Sequence, residues 1–276
     1  MNNLQNNQKS DTPPMGYDTL LAAVKNGRLK EWFYYFKNGH EFLLNEEIER
    51  LYKLGSLIQP YAQDTYAYLY ENREDLLFEG SQGILLDIDF GTYPYVTSSS
   101  TGLSGVHSGS GVSVNSLDRV IGIVKAYTTR VGEGPFPTEL IDSLAGDDLQ
   151  LHGKEIGATT GRKRRCGWLD LSLLKYSLDV SQITQIALTK IDILEKLNKF
   201  KVCVSYEYND QVYDRYFPFM DLDHVRPIYK EFGKEDLYGY KNKEKETKFF
   251  NFLEKNLKVP IKIVSFGPER NQTYLR

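Results

Sequence analysis

Three short apolar runs, each stopping at a polar or glycine-bearing loop, constrain the fold of this chain more than any other feature. Leu76-Leu77-Phe78 runs into Glu79-Gly80-Ser81-Gln82-Gly83, Ile183 to Thr189 into Lys190-Ile191-Asp192, and Ile261 to Val264 into Ser265-Phe266-Gly267-Pro268. Runs this short, bounded by breakers, read as buried strands. With helical periodicity between them, they predict an α/β fold: a mixed central sheet flanked by helices. In such sheets ligands gather at the carboxyl ends of strands, where backbone amides converge, so the loops after these runs are the first place to look for function.

The rest of the chain fills in around them. Apolar residues recur at helical spacing from Thr19 to Phe36 and from Asn45 to Tyr70 (Ile48, Leu51, Leu54, Ile58), over Leu117 to Tyr127, over Leu169 to Leu178 and over Lys241 to Lys258. Alternation at Val202, Val204, Tyr206 and Tyr208, then Asn209-Asp210 and Val212 to Phe219, predicts a β-hairpin. Residues 97–113 hold too little apolar mass to pack and read as a long flexible loop; residues 157–167 form a second loop rich in Gly, Thr and Arg. The expected organisation is a disordered tail over 1–16 and one domain over 17–276, helical to about 75 and carrying the sheet and substrate loops from about 76.

Composition narrows the function classes. No apolar run among the 276 residues approaches the roughly 20 needed to span a bilayer, so no membrane role is expected. A net charge of −3 gives no general attraction to nucleic acid, and an anionic ligand needs a local basic site, for which Arg162, Lys163, Arg164 and Arg165 are the one cluster. Cys166 and Cys203 lack metal-ligand spacing, so no disulfide, zinc site or other metal centre is expected, and a reducing cytoplasm fits best. His40, His107, His152 and His224 likewise lack ligand spacing. Asp87 and Asp89 lie two apart on an expected strand and so share a face, with a loop-ordering role.

The stretch Phe78 to Ser100 resembles the signature block of the adenylosuccinate synthetase family, with Ser81, Ile84 and Ser100 where that family has Ala, Thr and Asn. Lys125 to Leu140 (Lys-Ala-Tyr-Thr-Thr-Arg-Val-Gly-Glu-Gly-Pro-Phe-Pro-Thr-Glu-Leu) and Gly157 to Asp170 continue it in the family's order. The resemblance runs from about Trp32 to the carboxyl terminus. It implies an adenylosuccinate synthetase-like fold, related to P-loop NTPases and truncated at its amino terminus. By residue it implies IMP contacts at Gln82, Thr97 and Arg162, and an aspartate grip at Ala158, Thr159, Thr160, Gly161, Arg162, Lys163 and Arg164. GTP contacts are implied at Arg164, Lys190, Ile191, Asp192, Ser265, Phe266 and Gly267. The residue types suit those ligands: guanidinium forks and threonine hydroxyls match carboxylates, and a carboxylate at a strand end can accept from the adjacent N1 and N2 donors of guanine.

That family ligates IMP and L-aspartate at the expense of GTP in purine biosynthesis. Its catalytic base, Mg²⁺ ligand and phosphate amides come from an amino-terminal GDEGKG-type loop, with a histidine downstream as general acid. Neither motif occurs between Met1 and Arg276, so no catalytic residue is assigned. Three readings follow: a ligase half completed by a separate amino-terminal partner chain, a non-catalytic purine-nucleotide-binding module or regulator, or an incomplete gene product of an ordinary synthetase. GTP is the implied co-substrate, Mg²⁺ is implied by the family without its usual protein ligands, and the family's homodimer is carried over as an expectation.

Overall fold

The computed structural model describes residues 44–157 and 161–276. The chain divides into two compact units, one reaching Tyr68 and the other running from Leu69 to Arg276.

In the first unit α1 (Leu44–Ile58) carries the helical spacing. Pro60 ends it, since proline has no N–H for the helical ladder, and Gln59–Tyr61 tighten into a 3₁₀ turn. A second helix, α2 (Thr65–Glu71), crosses the unit boundary, with Asp64 accepting a hydrogen bond from the Ala67 amide at 2.9 Å. The single helical stretch expected from Asn45 to Tyr70 is therefore two helices. The helix expected over 19–36 and the tail over 1–16 lie outside the described residues.

The second unit contains α3 (Ser104–Ser110), β1 (Ile121–Lys125), β2 (Thr128–Arg130), α4 (Leu144–Gly153), β3 (Arg165–Gly167), β4 (Leu169–Asp170) and α5 (Leu171–Val180). These are followed by β5 (Gln185–Thr189), α6 (Ile191–Leu194), β6 (Lys199–Tyr208), β7 (Gln211–Tyr213), β8 (Arg226–Gly233), α7 (Lys248–Leu257), β9 (Ile261–Ser265) and β10 (Thr273–Leu275). One sheet has the order β1-β5-β9-β10, with β1, β5 and β9 parallel and β10 antiparallel to β9. In a second sheet β6 pairs with β8 along one side and with β4 and β7 along the other, while β2 and β3 form a separate ribbon.

One apolar core joins the two sheets. Val124, Ile186, Leu188, Ile261 and Val264 pack with Leu171 and Leu178 of α5 and with Phe249, Phe250, Leu253 and Leu257 of α7. Phe200 of β6 and Phe232 of β8 complete it, the Phe200 and Phe249 rings meeting edge to face at 5.2 Å. A satellite cluster of Leu173, Tyr176, Cys203, Tyr206, Tyr216, Met220 and Leu222 fills the far side of α5.

Several expectations change. Leu117 to Tyr127 is not a helix: the β-branched density at Val120, Ile121, Ile123 and Val124 wins, and the segment becomes β1. Leu76-Leu77-Phe78 is not a buried strand, because no described strand pairs with it, and Leu77 stands 92% exposed. The stretch 97–113 is not structureless: α3 lies inside it, closed by Gly111 at φ +75°, a left-handed turn that glycine makes without a Cβ penalty. Asp87 and Asp89 sit on no strand. The hairpin holds, its Asn209-Asp210 turn having both residues at positive φ, but β7 ends at Tyr213 and β8 was not anticipated.

Candidate functional site

The site is best built outward from Glu155, whose side chain is only 1% exposed. It accepts hydrogen bonds from the Tyr127 hydroxyl at 2.6 Å, from Lys125 Nζ at 2.9 and 3.0 Å and from Arg164 Nη1 at 2.9 Å. Burial by itself would raise the carboxyl pKa, but the tyrosine, lysine and arginine outweigh it and hold Glu155 below its ordinary value, so it is ionised at neutral pH. Lys190, at the end of β5, donates to the Gly153 carbonyl at 2.8 Å. Two cations thus pair with one carboxylate, and a third, Lys190, is held nearby on the Gly153 carbonyl. Burial, against the pull of Glu155 and with the help of the Arg164 and Lys190 charges, pushes the Lys125 ammonium below its ordinary pKa. The surplus positive charge is what an anionic ligand requires.

Backbone geometry holds this cluster in register. The Arg164 amide donates to the Glu155 carbonyl at 2.9 Å, Ile156 and Lys163 form an antiparallel bridge, and the Gly157 amide donates to the Arg162 carbonyl at 2.8 Å. Residues 155–157 and 162–164 therefore lie side by side, pinned at Glu155. Gly161 lies at φ +64°. Gly153 has no room for a side chain, since a Cβ there would collide with the Tyr127 hydroxyl.

A second assembly holds the glycine loop. Asp87 is fully buried and accepts from the amides of Asp89 (2.9 Å), Phe90 (3.1 Å), Thr101 (2.6 Å) and Gly102 (3.2 Å). Burial raises its pKa, but the four amides together bring it below its ordinary value. This carboxylate folds residues 87–102 around itself, which is the loop-ordering role expected of it. The Thr97 amide donates to the Leu86 carbonyl at 2.8 Å, and Gln82 stands exposed at φ +59°, its amide oxygen accepting from Ser81.

Arg130 ties the two assemblies together. From β2 its guanidinium reaches Thr92 Oγ1 at 3.0 Å and the Tyr95 carbonyl at 3.1 Å, and β2 pairs with β3, the strand that begins immediately after Arg164. Beside it Arg165 forms an ion pair with Glu139 at 2.5 Å.

The third loop group is the end of β5. Lys190 adopts a left-handed conformation at φ +64°, so the chain turns sharply into α6. Ile191 is completely buried in the core, leaving only its backbone to face a ligand. Asp192 Oδ1 is buried and has no hydrogen-bond partner among the described residues. An unmet acceptor of this kind costs about 1–3 kcal/mol until a donor arrives. Ser265 ends β9 and Phe266 and Gly267 follow it, with the Phe266 amide on the Gln272 carbonyl at 2.9 Å and its ring 6.0 Å from that of Tyr240. Tyr240 donates to Glu195, and both line a cavity of about 240 Å³ next to α6.

Of the sequence-derived residues, Arg164 and Lys190 converge through Glu155 and Gly153. Gln82 and Thr97 belong to the Asp87 assembly, which Arg130 and the β2–β3 pairing join to the first. Arg162 and Lys163 are exposed, and Ala158, Thr159 and Thr160 lie outside the described residues. Sequence reasoning missed Lys125, Tyr127, Arg130 and Glu155. A carboxylate two residues ahead of a Gly-Thr-Arg loop was the available signal, as the natural counter-charge for those arginines.

The residues present do not fit a Mg²⁺ ion. Asp87 is spent on four amides, Glu155 on three side chains and Glu139 on Arg165, and no group of three or more His, Cys, Asp or Glu among the described residues could hold a metal. Cys166 and Cys203 are free and buried, and burial pushes the Cys166 thiol up to about 11. No described helix is long and apolar enough to cross a membrane.

A largely parallel sheet whose strand ends carry a cation cluster and a buried carboxylate oxygen with no described partner defines the class: an α/β protein with its charged side chains gathered at the strand ends. The adenylosuccinate synthetase family model matches residues 18–274, and the chain belongs to that family. It is 47% identical to the adenylosuccinate synthetase of Francisella philomiragia over 236 residues, covering 83% of this chain and 55% of that protein. Against the Francisella tularensis enzyme the identity is 45% with the same coverage. The fully ligated adenylosuccinate synthetase of Plasmodium falciparum superposes with a TM-score of 0.82 at 32% identity, over 95% of this chain and 64% of that one. The chain thus spans little more than half the length of the curated relatives it matches.

Proposed function

We propose that this chain is the substrate-gripping portion of a GTP-dependent ligase joining IMP to L-aspartate, and that the phosphate chemistry is completed by residues that these 276 do not include. The observation that carries the reading is Asp192 Oδ1, a buried acceptor with no donor among the described residues, in α6 just after the parallel strand β5 and close to Lys190. Guanine offers adjacent N1 and N2 donors that match it; adenine presents no such pair. In this reading Ser265, Phe266 and Gly267 close over the same base. Arg164, held on Glu155, and Arg162 with residues 158–163 receive the aspartate carboxylates and neighbouring phosphate, while Gln82 and Thr97 face IMP. The family's homodimer belongs to the same proposal. Membership of the family and the cation cluster at Glu155 support it.

Titration calorimetry tests the base assignment. The unmodified chain is expected to bind GTP in preference to ATP, and Asp192→Ala to weaken GTP binding roughly 10- to 100-fold, as expected for losing hydrogen bonds to a charged acceptor. Equal binding of ATP and GTP removes the guanine assignment. The isolated chain is expected to show no GTP- and aspartate-dependent conversion of IMP, because phosphoryl transfer depends on phosphate cradling and positioning that these residues do not supply. A second reading, a non-catalytic purine-nucleotide module, is favoured if nucleotide binds but no complementary portion restores turnover.

A further inference from the structure

Asp192 and the stretch 265–267 lie far apart in sequence, and a base read by both needs a fixed spacing between them. Tyr240 reaches each of these arms. Its hydroxyl donates to Glu195 Oε2 at 2.6 Å, and its ring meets that of Phe266 edge to face at 6.0 Å. Glu195 follows Asp192 by three positions, and its amide closes the turn of α6 on the Ile191 carbonyl at 3.2 Å, so the two carboxylates belong to one helical turn. A pull on Glu195 is therefore a pull on the turn that carries Asp192.

Tyr240 is itself firmly held. Gly239 at φ +100° lets the chain reverse before it, the Tyr240 amide donates to the Leu237 carbonyl at 3.1 Å, and Leu237 is buried in the same core. From β10 the Tyr274 hydroxyl donates to the Tyr240 carbonyl at 2.6 Å, and the Tyr274 ring lies 6.2 Å from that of Phe266. The chain after β9 closes on itself, with the Phe266 amide on the Gln272 carbonyl at 2.9 Å and the Glu269 amide on Gln272 Oε1 at 3.0 Å, so a contact on Phe266 is passed to the whole turn. Burial first, then the Glu195 hydrogen bond and the charges of Glu195 and Asp192, push the Tyr240 hydroxyl far above its ordinary pKa, so it remains a donor. Being only 3% exposed, it acts on a ligand through Glu195 and Phe266 rather than by contact.

We infer that Tyr240 is a positioning residue for purine-base selection: by bonding Glu195 and packing on Phe266 it sets the spacing between Asp192 and the 265–267 stretch without touching the base. This inference rests on the reading of Asp192 as the acceptor for guanine.

Titration calorimetry of the whole chain with GTP and with ATP reads it through base choice. Tyr240→Phe keeps the ring and removes the hydroxyl. It should weaken GTP binding roughly three- to tenfold, the size typical of a residue that acts on a ligand through its neighbours, and leave ATP binding unchanged. Glu195→Ala should do the same, and Glu195→Gln, which keeps an acceptor oxygen, should recover most of the loss. Tyr206→Phe is the control for general loosening, because it takes another buried tyrosine hydroxyl from a carboxylate, Asp170, and should leave the ratio of GTP to ATP affinity as it is. Amide hydrogen exchange on the ligand-free chain gives a second readout: Tyr240→Phe should speed exchange over 191–195 by about fivefold or more, and Tyr206→Phe should not. Should Tyr240→Phe fail to fold, Glu195→Ala reads the same bond from its other end. The inference is overturned if Tyr206→Phe lowers the preference for GTP equally, or if exchange over 191–195 does not respond. A chain that prefers GTP and keeps that preference in Tyr240→Phe loses this inference alone; one that binds ATP and GTP alike loses the base assignment with it.

Discussion

Two buried carboxylates show how neighbours decide what a charge costs. Glu155 is surrounded by donors, and its depressed pKa means the folded state favours the ionised form: its stabilisation is present above the ordinary glutamate pKa and lost as the pH falls below it. Asp170 is the opposite case. It caps α5 by accepting from the amides of Ser172 (3.0 Å) and Leu173 (3.2 Å) and takes a hydrogen bond from Tyr206, but no described cation pairs with it. Burial dominates these bonds and pushes it up to about 6, so the folded state holds its proton longer than the unfolded chain, and stability falls as the pH rises from about 4 through 6. Asp170→Asn keeps the cap and removes the buried charge. It should flatten the stability profile between about pH 4 and 6 and gain up to about 3 kcal/mol above it, as measured by urea unfolding across that range. An unchanged slope would mean Asp170 does not titrate there. Glu155→Ala should destabilise by about 2–3 kcal/mol, below the full cost of breaking a buried pair because Lys125 and Arg164 are partly solvated, and Glu155→Gln should recover part of the loss.

At the scale of elements, capping separates what the sequence disclosed from what it hid. The expected helix over Lys241 to Lys258 is α7, shorter at its start because Thr247 is the residue that caps it, accepting from the Phe250 amide at 2.9 Å. Thr247→Ala should cost about 1–2 kcal/mol in chemical denaturation, with Thr247→Ser close to the original. α5, β5, β9 and the Asn209-Asp210 hairpin were legible because apolar period and turn chemistry agree there with the tertiary fold. β1 was misread because a short apolar run fits either period, and only pairing with β5 settles it. β8 escaped because its alternation is weak: Pro227, Lys230 and Glu231 lie on an edge paired only to β6. The candidate site divides in the same way. The ligand-facing residues belong to a long sequence block and could be named from it, whereas Lys125, Tyr127, Arg130 and Glu155 act across 28 to 38 positions of sequence, where no local pattern reaches.

On the scale of the whole molecule, the number and placement of exposed apolar side chains matter more than net charge for behaviour in solution. The chain carries a charge of −3, small for its length, so charge repulsion gives little protection against association. The edge of β1, with which no described residue pairs and which has Ile121 and Ile123 beside it, is then the natural point of self-association, since an open strand offers its amides and carbonyls to any other strand. The two causes make opposite predictions for one substitution. Ile123→Lys adds one positive charge and moves the net charge from −3 to −2, which by charge alone should increase aggregation near neutral pH. If the open edge governs, the same substitution places a lysine on the strand and should lower it. Light scattering of the isolated chain on slow warming is expected to rise later for Ile123→Lys than for the unmodified protein. Ile141→Lys, with the identical charge change at an exposed site outside the sheet, should show no such delay; equal behaviour of the two variants would remove β1 as the cause.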